Sequence, residues 1–314
     1  MIPNPKIQSF ASQETRCETT FNHGGPYWHL CTPGQFTEII FEKTDDYKFI
    51  MNAVAIIAAT LNIHILTFEI MSNHVHFILE CESDLGRVFF EMLKRRLQRY
   101  LTRSGRFVDL SDFKVDPIPI ENLDTLRIEI VYVNRNGYLV HPEHTPFSYP
   151  WGSGYLYFNQ CLSIDAMTPY SKLPDLKKRQ ICKGRAIALP DKYLVYDDII
   201  SPLSYCSLEK GKALFRDAHH YFSLISKSFE AYSAVAKRLG DSVFLTDDEM
   251  SAALRIISKK MYGDVKPVML GINDKLDLAR KMRSEYNASE GQIQRMLRLD
   301  RKVVSELFGK SSIK

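Results

Sequence analysis

The stretch Ile63–Glu80, IHILTFEIMSNHVHFILE, decides how this chain folds. Ile63 to Met71 alternates, with Leu66, Phe68 and Ile70 on one face, breaks at Ser72-Asn73, and alternates again from His74 to Glu80. Two such runs around a short polar break make a β-hairpin. On the second strand, the period of two sends Val75, Phe77 and Leu79 one way and His74, His76, Ile78 and Glu80 the other. Two imidazoles therefore share a face, about 6 to 7 Å apart, near enough to converge on one divalent cation. By itself a His-x-His pair is usually no more than two surface side chains, so the chemistry depends on what surrounds it.

Working outward, Phe36 to Phe41 reads as a short strand, and Thr44 or Asp45 caps a helix to about Thr60 with Phe49, Ile50, Ala53, Ile56 and Ile57 on one stripe. Downstream, Asp84 caps a second helix through Leu85, Val88, Phe89, Met92, Leu93, Leu97 and Tyr100. Its length is strongly basic: Arg87, Lys94, Arg95, Arg96, Arg99, Arg103 and Arg106 stand against Glu91 alone. Alone it reads as a solvated charged face; beside a metal site and a phenol it would hold a polyanion. Phe107 to Pro119 reads as a loop, and Asp124 caps a third helix, Thr125 to about Asn136, ended by Gly137. Tyr132 and Asn136 are spaced i, i+4 there, so a phenol and an amide share one face.

At 314 residues the chain is about two domains long. We divide it into residues 1–160, a mixed α+β domain with an antiparallel sheet; 161–203, a Pro-containing linker draped on that domain; and 204–314, an all-helical domain. With 45% hydrophobic and 25% charged residues, the composition is that of a folded, non-membrane protein. No apolar run approaches the roughly 18 residues of a membrane span. The first residues show no secretory pattern, and six cysteines without a CxxC pair suit a reducing compartment, so a cytoplasmic location is expected. The net charge of +4 identifies no partner by itself.

Several of these motifs occur together, in order, in one known group. Phe68 to Leu79, FEIMSNHVHFIL, resembles the "MPNHVHxxL" hairpin of the single-tyrosine HUH transposases, which include the REP-associated tyrosine transposases. Tyr27-Trp28-His29-Leu30 and Glu38-Ile39-Ile40-Phe41 resemble that family's first strand and "xxIF" element. Ile130 to Asn136 sits where the family has "RYIxxNP", and Tyr149 to Tyr155, YPWGSGY, resembles its "YPWSSY" stretch. The likeness covers roughly residues 25 to 158, with Ser72 and Gly137 each standing where the family has proline.

The resemblance implies a ferredoxin-like domain that cuts single-stranded DNA. His74 and His76 would hold a Mg²⁺ or Mn²⁺ ion with Asn136 as a third ligand, and Tyr132 would be the nucleophile, forming a 5′-phosphotyrosine at a hairpin-marked site. Tyr100, also on a helix after the hairpin, is the rival nucleophile. Lys94, Arg95, Arg96, Arg99 and Arg103 are the candidate DNA contacts beside these groups. The family contains monomers and dimers, so a homodimer stays open. Near the C-terminus, Asp274, the Ser289-x-x-Gln292 box and Asp300 each start a helix, and the short turn between the last two suggests a helix-turn-helix within 274–308, with Arg301 and Lys302 facing duplex DNA. Two other readings remain: a non-catalytic DNA-binding regulator derived from a transposase, and a metal-dependent RNA phosphodiesterase using water.

Overall fold

The structure, a computed structural model, describes residues 26–32, 39–140, 144–159, 164, 166–225, 247–286 and 288–308. It is a mixed α+β protein with antiparallel sheets. Its first sheet is ordered β2-β3-β1-β4, built from β1 (Tyr27–Cys31), β2 (His64–Ile70), β3 (Val75–Glu80) and the two-residue β4 (Ile118–Pro119). Helix α1 (Thr44–Leu61) links β1 to β2, and α2 (Ser83–Arg103) links β3 to β4. Every pairing is antiparallel.

The sheet has two covered faces, and strand alternation decides which residues meet which helix. Trp28, Leu30, Phe68, Ile70, Val75, Phe77 and Leu79 point to one side, where they pack with the apolar stripes of α1 and α2. Each of the fully buried members contributes about 1.5–3 kcal/mol by leaving water. Tyr27, Cys31 and Ile78 point to the other side and pack with α3 (Leu123–Val140). The hairpin's second strand therefore faces as its alternation implies.

Its first strand does not. A β-bulge between Ile65 and Thr67 turns Leu66 toward α3, while Phe68 and Ile70 keep to the α1/α2 side. One extra residue reverses the facing of everything before it. His74 likewise lies just before β3, in the connecting turn, instead of within the strand. Of the strand expected at Phe36–Phe41, residues 36–38 lie outside the described residues; Ile39 to Phe41 form no strand, and the N–H groups of Ile40 and Phe41 both donate to the Ser72 carbonyl at 2.9 Å.

Helix α1 begins at Thr44, but neither Thr44 nor Asp45 supplies its cap. Asp46 Oδ2 accepts the Glu42 and Lys43 N–H groups at 3.0 and 3.1 Å, and Oδ1 accepts from the Tyr100 hydroxyl. Arg106 closes the same carboxylate at 2.7 Å, which makes it a structural member of the basic stretch. Burial alone would raise the Asp46 pKa; the two backbone N–H groups, Tyr100 and Arg106 outweigh it and hold the carboxyl below its usual range.

Gly137 does not end α3. The helix continues to Val140, and Gly137 is buried inside it because a Cβ there would lie 2.1 Å from the Tyr149 ring. Tyr149 is fixed in turn by its hydroxyl, which donates to the Ile70 carbonyl at 2.7 Å. Residues expected as a linker carry a second antiparallel sheet, β5 (Thr168–Pro169), β6 (Leu194–Tyr196) and β7 (Ile199–Ile200), with α4 (Asp175–Cys182). The Asn52 side chain of α1 pins this sheet, donating to the Asp198 carbonyl at 2.8 Å and accepting the Ile200 N–H at 2.7 Å.

After Ser204 the described residues form no further strands. Helices α5 (Leu208–Ala213) and α6 (Ala218–Ile225) pack on β2 and α3 respectively. Helices α7 (Asp247–Tyr262), α8 (Ile272–Tyr286), α9 (Glu290–Leu297) and α10 (Arg301–Phe308) form a cluster around Leu278, Met282, Ile293, Leu297 and Val304. The Ser289 capping box is present, with the Gln292 N–H donating to Ser289 Oγ at 3.2 Å and the Ser289 N–H to Gln292 Oε1 at 3.0 Å. Asp300 caps α10 through the Lys302 N–H at 2.8 Å. Arg301 and Lys302 are exposed on its first turn. Among the described residues, no helix is long and apolar enough to cross a membrane.

Candidate active site

Two central strands and one helix build the site. On β1, the residues alternating toward α3 are Tyr27, His29 and Cys31; on β3 they are His76 and Ile78, with Cys31 directly opposite His76. On β2, Glu69 stands opposite His76 from the other side. Helix α3 lays Glu129, Tyr132 and Asn136 over this face, a stripe at i, i+3, i+7.

The expected pairing of imidazoles and phenol is present. The His74 and His76 rings are 5.1 Å apart between centroids and nearly perpendicular, and the Tyr132 ring is 5.7 Å from His76. Asn136 continues the Tyr132 stripe one turn on, buried, and its Nδ2 has no hydrogen-bond partner among the described residues. Tyr100 is excluded from this centre: it lies on the other side of the sheet, its ring stacked on Phe49 at 4.1 Å and its hydroxyl held by Asp46, whose neighbouring charge adds to burial in pushing the phenol pKa up.

Two residues not singled out from the sequence complete the arrangement. His29 Nε2 lies 3.1 Å from His76 Nδ1, and Glu129 Oε2 lies 3.4 Å from His29 Nδ1. All three side chains are completely buried. If the His29 proton sits on Nδ1, the atom facing Glu129, then His29 Nε2 accepts and His76 Nδ1 donates across the 3.1 Å contact. In that tautomer Nε2 is the His76 nitrogen that would ligate a metal. His74 is set the same way: its Nδ1 lies 2.7 Å from Asn73 Oδ1, an acceptor that puts the proton on Nδ1 and the lone pair on Nε2. The strand alternation of β1 and the i, i+3 relation of Glu129 to Tyr132 are the signals that could have found His29 and Glu129.

Ligand atoms of His29, Cys31 and His76 all lie within 4.8 Å of one another, so this buried group could itself hold a metal ion. Glu69 supplies a second carboxyl. Burial pushes its pKa well above the usual range, against one Gly154 N–H that pulls it down. Gly152 and Gly154 are shaped around it: a Cβ on either would come within 2.5 Å of a Glu69 oxygen. That contact accounts for Gly-Ser-Gly after Trp151. Ser153, between them, hydrogen-bonds Thr67 and the Phe68 N–H at 3.0 Å each.

The centre is closed. Tyr132 is 2% exposed, His74 5% and His76 0%, so a substrate reaches them only after the covering residues part. The basic face of α2 does not adjoin it. Leu93, Leu97 and Leu101 bury α2 against the α1 side of the sheet, which places Lys94, Arg95, Arg96, Arg99 and Arg103 across the sheet from Tyr132. The expectation that they stand beside the histidines is corrected accordingly.

No protein-family model matches the chain, and no curated protein does. Among solved structures, a REP-associated tyrosine transposase bound to a REP hairpin matches at 13% identity, over 43% of this chain and 79% of that one, with a TM-score of 0.32.

Proposed function

We propose that the chain is a cytoplasmic, metal-dependent nuclease of the single-tyrosine HUH type, which cuts and rejoins single-stranded DNA at hairpin-marked sites. The observation that carries this reading is the packing of Tyr132 on His76, with His29 and Glu129 aligned behind the imidazole. The βαββαβ order and the β4-β1-β3-β2 sheet, the arrangement of ferredoxin-like folds, support it.

In this reading His74 and His76 hold the ion through Nε2, with the Asn136 amide oxygen as third ligand. Two imidazoles and an amide oxygen suit Mn²⁺, and Mg²⁺ to a lesser degree. When bound there, the ion would supply Lewis-acid stabilisation of charge on a phosphate oxygen. Tyr132 would lose its phenolic proton to solvent as its oxygen bonds to phosphorus, and the bond from phosphorus to the 3′ oxygen would break as that oxygen takes a proton from solvent, so that the net change moves one proton from the phenol to the 3′-hydroxyl. The product is a 5′-phosphotyrosine and a free 3′-hydroxyl. Rejoining reverses the step with another 3′-hydroxyl. The C-terminal helices, with Arg301 and Lys302, would engage duplex DNA as a helix-turn-helix.

Glu129 and His29 act here as positioning residues. Glu129→Gln is expected to weaken Mn²⁺ binding by about 10- to 100-fold, the usual loss when a partner behind a metal ligand is removed. Titration calorimetry with Mn²⁺ on the folded variant checks this; unchanged affinity would detach Glu129 from the site.

The function itself is tested with a labelled single-stranded hairpin oligonucleotide and Mn²⁺: the wild type forms a denaturation-resistant adduct and Tyr132→Phe does not. Cleavage that survives Tyr132→Phe would mean that water attacks. The burial of Tyr132 favours one second reading, a non-catalytic DNA-binding protein, which binds the oligonucleotide and leaves it intact with any divalent ion.

A further inference from the structure

On the side of the sheet away from Tyr132, a cleft of about 690 Å³ opens between α2 and the segment that follows α4. Arg96, Arg99 and Arg103 line it from α2, and Lys183 and Arg185 from the other wall. Among the described residues Asp45 is the one carboxylate that lines it. The walls meet through contacts 80 and 86 residues apart in sequence, and the fold sets their cations face to face.

None of the five makes a salt bridge among the described residues. Arg96 Nη2 and Arg103 Nη1 are held by carbonyls instead, those of Cys182 at 3.2 Å and Lys183 at 3.4 Å. The buried Nε of Arg96 has no hydrogen-bond partner among the described residues. Burial pulls the Arg96 pKa down, and repulsion from Arg99 adds to it. A solvated charged face normally interleaves both signs; like charges gathered from two segments repel one another unless an anion joins them. The floor is rigid, since Tyr100 is stacked on Phe49 and tied to Asp46.

Arg96, Arg99 and Arg103 form one stripe at i, i+3, i+7, about 10 Å long at 1.5 Å per residue. A stripe of that length can meet about two to three successive phosphates of one strand. We propose that this cleft is a binding site for the sugar-phosphate backbone of paired nucleic acid, holding a stem on the face of the sheet opposite Tyr132. It extends the DNA contacts proposed for α2 by a second wall, Lys183 and Arg185, and does not depend on the Tyr132 chemistry.

The test is fluorescence anisotropy of a labelled DNA hairpin with the full chain in EDTA, where no metal-dependent step occurs. Arg99→Glu/Arg185→Glu changes two exposed side chains that make no hydrogen bond among the described residues, and circular dichroism checks that it is folded. The expected result is at least about tenfold weaker binding, with the slope of log affinity against log salt reduced by about 2. Lys259→Glu/Lys260→Glu, an equal charge change on α7, is expected to leave both unchanged. Unaltered binding in the cleft variant, an equal loss in the α7 variant, or displacement of the hairpin by an equal concentration of a mononucleotide would each overturn the proposal. Because adduct formation is not measured, the nuclease reading can fail while this one stands.

Discussion

His76→Ala is expected to lose Mn²⁺ binding and to reduce adduct formation by about a thousandfold or more. An ion polarising a phosphate contributes several kcal/mol to the transition state, and each 1.36 kcal/mol is a factor of ten in rate. His76 is the side chain on which the arrangement converges: His29 meets it at Nδ1, His74 stands perpendicular to it, and the Tyr132 ring packs against it. Truncation also leaves His29 Nε2 facing a cavity inside a fully buried cluster. His76→Gln separates the two effects, since an amide fills much of the volume but is a poorer ligand than imidazole. It should fold better than His76→Ala and remain inactive. Titration with Mn²⁺, thermal melting and the adduct assay on both variants check this, and full activity in either would remove His76 from the chemistry.

Gly137→Ala is expected to destabilise the protein by about 3 kcal/mol, the upper part of the range for overpacking. The added methyl would meet three atoms of the Tyr149 ring at 2.1, 2.4 and 2.6 Å. That ring cannot swing away without breaking its bond to the Ile70 carbonyl, and α3 cannot lift without parting Tyr132 from the histidines. For a chain of 314 residues the cost corresponds to a fall in Tm of roughly 4–5 °C. Gly184→Ala, where the nearest atom lies 3.9 Å from the new methyl, is the matched control and should melt with the wild type. Equal melting of Gly137→Ala and wild type would show that the helix and Tyr149 are less tightly engaged than the structure has them.

Gly137 also shows where the sequence stops being informative. Glycine near a helix end reads as a terminator because its conformational freedom usually serves that purpose. Here it is inside the helix for a tertiary reason, the closeness of a ring twelve residues away, which leaves no local trace. The bulge at Leu66 is similar: Leu66, Phe68 and Ile70 keep a perfect alternation, and only the pairing with β3 shows that the first of them faces the other way. Strand β4 escapes notice because it is two residues long and ends in proline, which an edge strand tolerates.

The facing of β3 was legible because a period of two leaves no other choice once Phe77 and Leu79 are buried. The meeting of His76 with Tyr132 was expected from motif order, and their ring centroids lie 5.7 Å apart. His29 and Glu129 were harder. One histidine in an apolar strand and one glutamate in a helix each look like ordinary residues, and their relation appears only when β1 is placed beside β3 and beneath α3. The basic helix was legible as a charged surface; its side of the sheet was not, because that depends on which face of the hairpin α2 covers.

The central claim is that the buried phenol beside the paired imidazoles becomes covalently joined to DNA. Mass spectrometry of peptides from the wild-type protein, digested after incubation with Mn²⁺ and the hairpin oligonucleotide, tests it directly. A nucleotide-sized mass addition on Tyr132 is the predicted result. An addition on a different residue, or intact oligonucleotide with an unmodified Tyr132 peptide under every divalent ion supplied, would contradict it.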